Sequence, residues 1–291
     1  MGTDDRHQIS RGTAYALATA LVASTAAAGA KYLAGDLSPW FIVWVQYGIC
    51  TLMVAPWLLR KGPSALRTAR PGLHLVRSLS GWLGFTTFYL ALPLIPLVDA
   101  TLLRSAAPLW VPLVVFAWLG QGIPVIRWLA LLGGFAGVLL ILQPRGLEVN
   151  AGHLLGLAAG LSLAISMATT RALSTTEPAS RVLFYYFFIS FLASTPMALF
   201  HLTLPGLVQL PVLLYVGVSI FVTMVLYTRA YSHAPTSIIA PLSYAAVPLS
   251  GLLDWLLWQQ LPGVLAIAGA ILVITSGILA VRSHTGKPDE H

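Results

Sequence analysis

The chain is 291 residues long, 57% hydrophobic and only 9% charged, with a formal net charge of +7 and a mean hydropathy of +0.83. Soluble domains carry about 25% charged residues, so these figures exclude a water-covered globule. The basic residues sit at the ends of apolar runs, not in the single patch that nucleic-acid binding needs, which leaves lipid as the implied solvent.

In lipid only helices or closed barrels satisfy every backbone group. Barrel strands would alternate over about 10 residues. The apolar runs here are nearly continuous over about 20, the length at which a helix crosses a core of roughly 30 Å. Breaks at charges, prolines and glycines give ten spans in chain order: 13–31, 38–58, 73–93, 97–119, 125–143, 152–172, 182–202, 211–232, 236–258 and 262–281. The expectation is an all-α membrane protein with one transmembrane domain over 1–291. The first span follows Arg6 and Arg11 and is rich in small residues, as signal peptides also are. It takes part in the repeat described next and is read as a retained helix. Cys50 falls inside the second span, where a buried, inert thiol is expected.

Orientation follows from lysine and arginine. With the N-terminus in the cytoplasm, Arg6, Arg11, Arg60, Lys61, Arg67, Arg70, Arg77, Arg127, Arg171, Arg181, Arg229, Arg282 and Lys287 lie inside, against Lys31 and Arg145 outside. Both termini are therefore expected in the cytoplasm.

The passage "LPLIPLVDATLLRSAAPLW" (92–110) has a counterpart in "SHAPTSIIAPLSYAAVPLS" (232–250). At an offset of 140 (248 − 108), Pro108 falls on Pro248, Trp118 on Trp258, Gly137 on Gly277, Gly12 on Gly152 and Lys31 on Arg171. Pseudo-repeats at 12–141 and 152–281 follow, each with five spans. Five is odd, so the second copy enters the membrane from the opposite side. Inverted repeats are the build of secondary transporters, with a site near the midplane where the copies meet.

These stretches, with "GVLLILQP" and "GAILVITSG", resemble the drug/metabolite transporter superfamily, in particular its EamA-type bacterial exporters, over about 12–281. The resemblance implies a 5+5 bundle around a cavity lined by spans 1, 3, 4, 6, 8 and 9, with spans 5 and 10 packing the halves together. It also implies export of amino acids and related metabolites across the bacterial inner membrane. One departure stands out: family halves usually carry an acid just after the fourth span, where this chain has Gln121 and Gln260.

Substrate-facing candidates come from polar and aromatic residues within spans. Arg104 lies about 9 Å deep at 1.5 Å per residue, a position that costs roughly 2.5–3.5 kcal/mol on insertion scales. It reads either as a fork for a substrate carboxylate or as a partner of Asp99 or Asp254. Trp82, Thr86 and Tyr89 share one face of the third span. Tyr215, Ser219, Thr223, Tyr227 and Tyr231 form an i, i+4 ladder on the eighth. Ser243 and Tyr244 follow on the ninth. Of these, Trp82, Thr86, Tyr89, Arg104, Tyr227, Ser243 and Tyr244 are expected to bind substrate. Pro108 and Pro248, near the middle of spans 4 and 9, are expected to act as gating kinks. Gly152, Gly156 and Gly160, like Gly133 and Gly137, suit close helix packing.

The expected function is secondary export of small metabolites, chiefly aromatic or bulky hydrophobic amino acids, with nucleobase-like or other drug-like compounds as the alternative. The partners expected are a small-molecule substrate and the lipid bilayer, with no nucleic acid and a monomeric state. No metal or cofactor is expected, nor an enzyme, since no His/Asp pair or acidic cluster shares one depth. Asp99 and Asp254 lie near the outer interface and every histidine near a span end or in a tail, so facilitated diffusion is preferred to proton coupling.

Overall fold

Proline opens several of the helices, because its fixed φ and missing N–H suit a first turn. In the structure, a computed structural model describing residues 3–119, 125–142, 150–234, 239 and 242–282, α1 spans Thr3–Leu33 and α2 begins at Pro39 and runs to Lys61. A 3-10 turn, Pro63–Leu66, leads into α3 (Pro71–Ala91). The fourth expected span is two helices, α4 (Leu97–Ser105) and α5 (Ala107–Leu119), followed by α6 (Val125–Leu142). Asn150 caps α7 (Ala151–Ser174), its side chain accepting from the Gly152 N–H at 2.8 Å. Then come α8 (Ala179–Phe200), α9 (Leu210–His233), α10 (Ala246–Trp258) and α11 (Val264–Arg282). Among the described residues there is no strand.

Among the described residues, six segments are long and apolar enough to cross a membrane by themselves: Gln8–Leu33, Pro39–Lys61, Leu97–Trp118, Ala151–Ser174, Ala179–Phe200 and Leu210–Ala230. The shorter apolar stretches Leu131–Leu140, Ala246–Trp258 and Val264–Ser276 belong to α6, α10 and α11. Helix α3 falls short for a chemical reason. It carries His74, Arg77, Ser78, Ser80, Thr86 and Thr87, all of which are buried. Its polarity is turned inward, against α7 and α8, so lipid does not meet it. Large apolar side chains such as Leu52, Leu132, Leu139 and Leu192 are the ones left on the outside, as a lipid-facing surface requires.

Helix pairing is reciprocal. Helix α3 packs along α7 as α1 packs along α9, and α3 meets α8 as α2 meets α9. Helices α4 and α5 cross α7 as α10 crosses α1, while α2 with α8, α6 with α11, and α4 with α10 map onto themselves. Exchanging the first helix set with the second leaves this scheme unchanged.

Glycine makes the closest crossings possible. A Cβ on Gly156 would meet the Leu103 side chain at 2.8 Å, and one on Gly160 would meet the Leu103 carbonyl oxygen at 2.6 Å. On the α6–α11 contact, Gly137 faces the Gly269 carbonyl at 2.7 Å and Gly133 faces Ser276 Oγ at 2.9 Å. Both sets serve packing, and α6 with α11 forms the pairing expected of spans 5 and 10. Backbone atoms cannot swing aside as a side chain can, so Gly160→Val is expected to push α4 off α7 and destabilise by about 1–3 kcal/mol. Gly72→Ala, at a position with nothing within 4 Å, is the control. Thermal unfolding of detergent-solubilised protein checks the pair.

The prolines correct one expectation. Pro108 and Pro248 are not kinks within continuous helices. Pro108 is the second residue of α5 and Pro248 the third of α10, each in the first turn after a chain break. A proline there gives up only an N–H that would lack a partner anyway. The breaks fall at Ala106, and at Tyr244–Ala245. Among the described residues, α4 and α5 are thus joined at the single residue Ala106, and α10 begins directly after Tyr244–Ala245.

Candidate functional site

The residues that meet around Arg104 come from α2, α3 and α4. On α3, Trp82, Phe85, Thr86 and Tyr89 follow helical spacing and share a face. The Arg104 guanidinium lies 4.2 Å over the ring of Phe85 and 4.9 Å over that of Phe88, a cation–π arrangement that gains strength where water is excluded. Phe85 and Tyr89 meet edge to face at 6.0 Å. The Tyr89 hydroxyl donates to Gln46 Oε1 on α2. Several polar atoms of these helices are buried without a hydrogen-bond partner, Gln46 Nε2, Trp82 Nε1, Thr86 Oγ1 and Arg104 Nε, as is Trp110 Nε1 on α5. Buried polar groups are ordinarily paired, so this concentration makes the surroundings of Arg104 the candidate site.

A second cation, this one buried, lies further along α3. Arg77 was grouped with the inner loops on sequence, but it is the seventh residue of α3 and 7% exposed. It donates to Ser166 Oγ on α7 and lies 4.0 Å over the Tyr186 ring. The Tyr186 hydroxyl pairs with that of Tyr47 at 3.0 Å, and Tyr47 in turn donates to the Gly81 carbonyl at 3.2 Å. Tyr47 also meets Phe85 edge on at 6.3 Å. A continuous aromatic and polar chain therefore runs from Arg77 to Arg104 through the protein's interior.

Neither cation is claimed by an acid among the described residues. Asp254 is fully buried and its Oδ1 lies 2.9 Å from Lys31 Nζ, while its Oδ2 accepts from the Val98 N–H at 2.7 Å. Lys31 also reaches Gln260 Oε1 at 3.2 Å and lies 4.7 Å over Trp258. Asp99 stands 4.0 Å from His153 Nε2. Of the two open readings of Arg104, the internal ion pair with Asp99 or Asp254 is the one the geometry does not provide. Gln260, the departure noted above, shares Lys31 with Asp254. Gln121 lies outside the described residues.

The remaining candidates are placed differently. Tyr227 is on an exposed part of α9, Ser243 is exposed, and Tyr244 is buried with its hydroxyl unpartnered. In the ladder on α9, Tyr215 meets Thr25 Oγ1 of α1 at 2.5 Å, and Ser219 is buried with its hydroxyl donating to the Val216 carbonyl of its own helix. The Tyr231 side chain lies outside the described residues. Cys50 is buried and donates to the Gly217 carbonyl at 3.4 Å. The sequence reading missed Gln46, Phe85, Phe88, Tyr47 and Arg77. The signal for Gln46 was present: it is the one amide in "PWFIVWVQYGICTLMVAPWLL", and a lone polar residue in a span is a functional pointer.

At the other end of α3, Glu177 gathers a latch between the two halves of the chain. It accepts from the Thr68 hydroxyl and the Arg181 guanidinium, each at 2.5 Å, and His74 Nε2 lies 4.0 Å away. Burial pushes the Glu177 carboxyl up, but these donors outweigh it and hold it below the ordinary carboxylate range. A depressed folded-state value means stability that is present at neutral pH and fades as pH falls through that value. Glu177→Gln is expected to lower the melting temperature at pH 7 and flatten its acid-side decline, read by thermal scans from pH 7 to pH 3.

Comparison with known proteins places this architecture. The EamA-like transporter family model matches residues 10–143 and again 150–282. Over 253 residues, 87% of each chain, the protein is 24% identical to the S-adenosylmethionine uptake transporter of Rickettsia bellii. It is 29% identical to the pseudopaline exporter CntI of Pseudomonas aeruginosa, covering 84% of this chain and 87% of that one. It is 28% identical to the riboflavin transporter of Vibrio cholerae, covering 79% of each. A solved crystal structure, 18% identical, superposes with a TM-score of 0.61 over 97% of this chain and 99% of that one, which shows a shared fold. With two copies of the family model accounting for nearly all of its length, the chain belongs to the EamA-like transporter family.

Proposed function

We propose that the protein is a secondary transporter that exports small carboxylate-bearing metabolites with aromatic or bulky apolar bodies, aromatic amino acids being the first class to test. The observation that carries this reading is Arg104, half-buried against Phe85 and Phe88 beside unpartnered donors, with no ionic partner among the described residues. A guanidinium fork matches a carboxylate, and the surrounding rings suit a flat apolar body.

The reciprocal helix pairing supports two inverted copies of five spans in a monomer, with substrate alternately exposed as the copies rock. The chain breaks before Pro108 and Pro248 give spans 4 and 9 their joints. Relatives move substrates in both directions, and the excess of lysine and arginine on one side supports a bacterial inner-membrane protein with cytoplasmic termini. Single cysteines at positions 36 and 175, both exposed in turns between helices, in a Cys50→Ala background test this. Membrane-impermeant maleimide on intact cells should label the first and spare the second.

Transport is tested by counterflow in proteoliposomes loaded with amino acids, with purines as the alternative class. Exchange of aromatic amino acids or related carboxylates is expected. Exchange of purines alone would sink this assignment.

A further inference from the structure

We propose that the Arg104 site selects for net negative charge, so that its preferred ligand is a small organic anion, an aromatic carboxylate, over the zwitterion of the same shape. The inference rests on the transport reading above and narrows its substrate class. Three independent observations converge on it.

The first is a surplus of positive charge within the spans, Arg77 buried and Arg104 half-buried. Arg77 lies six residues into α3 and Arg104 seven into α4, about 9 and 10 Å from opposite faces at 1.5 Å per residue. Arg104 sits over Phe85, eight residues beyond Arg77 on α3, so about 12 Å separates the two levels. The two cations bracket the midplane. Neither forms an ion pair among the described residues.

The second is the distribution of acids. The chain has nine Asp and Glu residues, and each can be placed. Asp4 and Asp5 begin α1, and Asp36 and Glu177 stand in turns between helices. Asp254 is bonded to Lys31 and the Val98 N–H, and Asp99 faces His153. Glu148, Asp289 and Glu290 lie outside the described residues and outside every expected span. No carboxylate is left near the midplane to receive the ammonium of an amino acid, and the rings of Phe85 and Phe88 already hold Arg104.

The third is the chemistry of the unpartnered atoms. Gln46 Nε2, Arg77 Nε, Trp82 Nε1, Arg104 Nε and Trp110 Nε1 are all buried N–H donors. Among the other unpartnered buried atoms of the described residues, the hydroxyls of Thr86 and Tyr244 and the ring nitrogens of His74 and His153 can act either way. A set dominated by fixed donors is satisfied by an acceptor-rich ligand, and a carboxylate accepts without donating.

This selectivity also supplies a driving force. A cell interior is negative, and one elementary charge crossing 100 mV gains about 2.3 kcal/mol, or roughly 50-fold in concentration ratio. Export of a monoanion therefore runs down the membrane potential with no proton carrier, in keeping with a midplane that holds no acid.

The test uses the full-length protein in liposomes with phenylpyruvate, phenylalanine and phenethylamine, three probes sharing one ring and differing in charge, with protein-free vesicles as baseline. Valinomycin and potassium gradients set the potential to either sign. Phenylpyruvate flux at least 10-fold above that of phenylalanine, directed toward the positive side, is expected. Arg104→Gln should remove that preference, and Arg104→Lys should restore part of it, in samples with the wild-type elution profile. Phenylalanine flux equal to or above phenylpyruvate flux, or anion flux indifferent to the potential, would overturn the charge selectivity while leaving the transporter reading intact. If no probe moves, the transport assignment fails with it.

Discussion

Replacing Arg104 with alanine is expected to reduce transport of carboxylate-bearing solutes 10- to 100-fold while leaving the fold intact. Charge-assisted hydrogen bonds contribute about 1.5–3 kcal/mol each, and each 1.4 kcal/mol is tenfold in an equilibrium constant. Folding should tolerate the change because Arg104 has no ionic partner among the described residues, so its removal strands no buried acid. What it does lose is contact with Phe85 and Phe88, which Arg104→Met largely keeps. The two variants should therefore differ in stability and agree in transport. Counterflow with a carboxylate and with an amine-only solute decides the matter. Equal loss for both solutes would assign Arg104 to structure, and unchanged carboxylate transport would exclude it from the site.

How far the sequence foretells this molecule depends on the kind of interaction. Span positions are legible because a hydrophobic run of fixed length is a one-dimensional property. The breaks in spans 4 and 9 were signalled by Pro108 and Pro248, but the nature of the joint was not. Whether a proline bends one helix or starts another depends on neighbours such as Ala106, whose N–H bonds back to both Leu102 and Leu103. Helix α3 shows the converse. Arg77 near a span end reads as an interfacial charge, and only the partner helix, with Ser166 at the matching height, turns it inward. Arg104 was legible as an anomaly, since charge within a span always needs a reason. Its role was not, because that turns on which of several distant residues take Asp254. The answer, Lys31, is more than two hundred positions away, with the carboxylate set on α10 ahead of the site where family members usually carry one. Tyr227 qualified by its place in an i, i+4 ladder and Ser243 by residue type, and periodicity does not say whether an outward face meets lipid, solvent or substrate.

That choice of partner gives the largest stability effect to be expected. Lys31→Met should destabilise the protein by about 3–5 kcal/mol, the range for removing one member of a buried ion pair, because Asp254 would be left charged and fully buried. The pair does more than neutralise: through Asp254, Lys31 on α1 is joined to α10, and through the Val98 N–H to the start of α4. Thr101 donates to Ser250 at 3.1 Å one turn further along the same α4–α10 contact. On the proposed orientation this is the outer end of the site, held shut from three helices. Asp254→Asn keeps an acceptor for the Val98 N–H and leaves a lysine that still has Gln260 and the Trp258 ring, so its effect should be smaller. The double variant Lys31→Met, Asp254→Asn should recover most of the loss, since no uncompensated charge remains. Thermal unfolding of the three variants completes the cycle. A double variant no more stable than Lys31→Met alone would show that Lys31 stabilises by packing, without reference to the carboxylate. A recovered double variant, folded but unlatched, should also open its outer end more readily. A cysteine placed at Thr101 in the Cys50→Ala background should then react faster with an impermeant maleimide than it does with the ion pair intact.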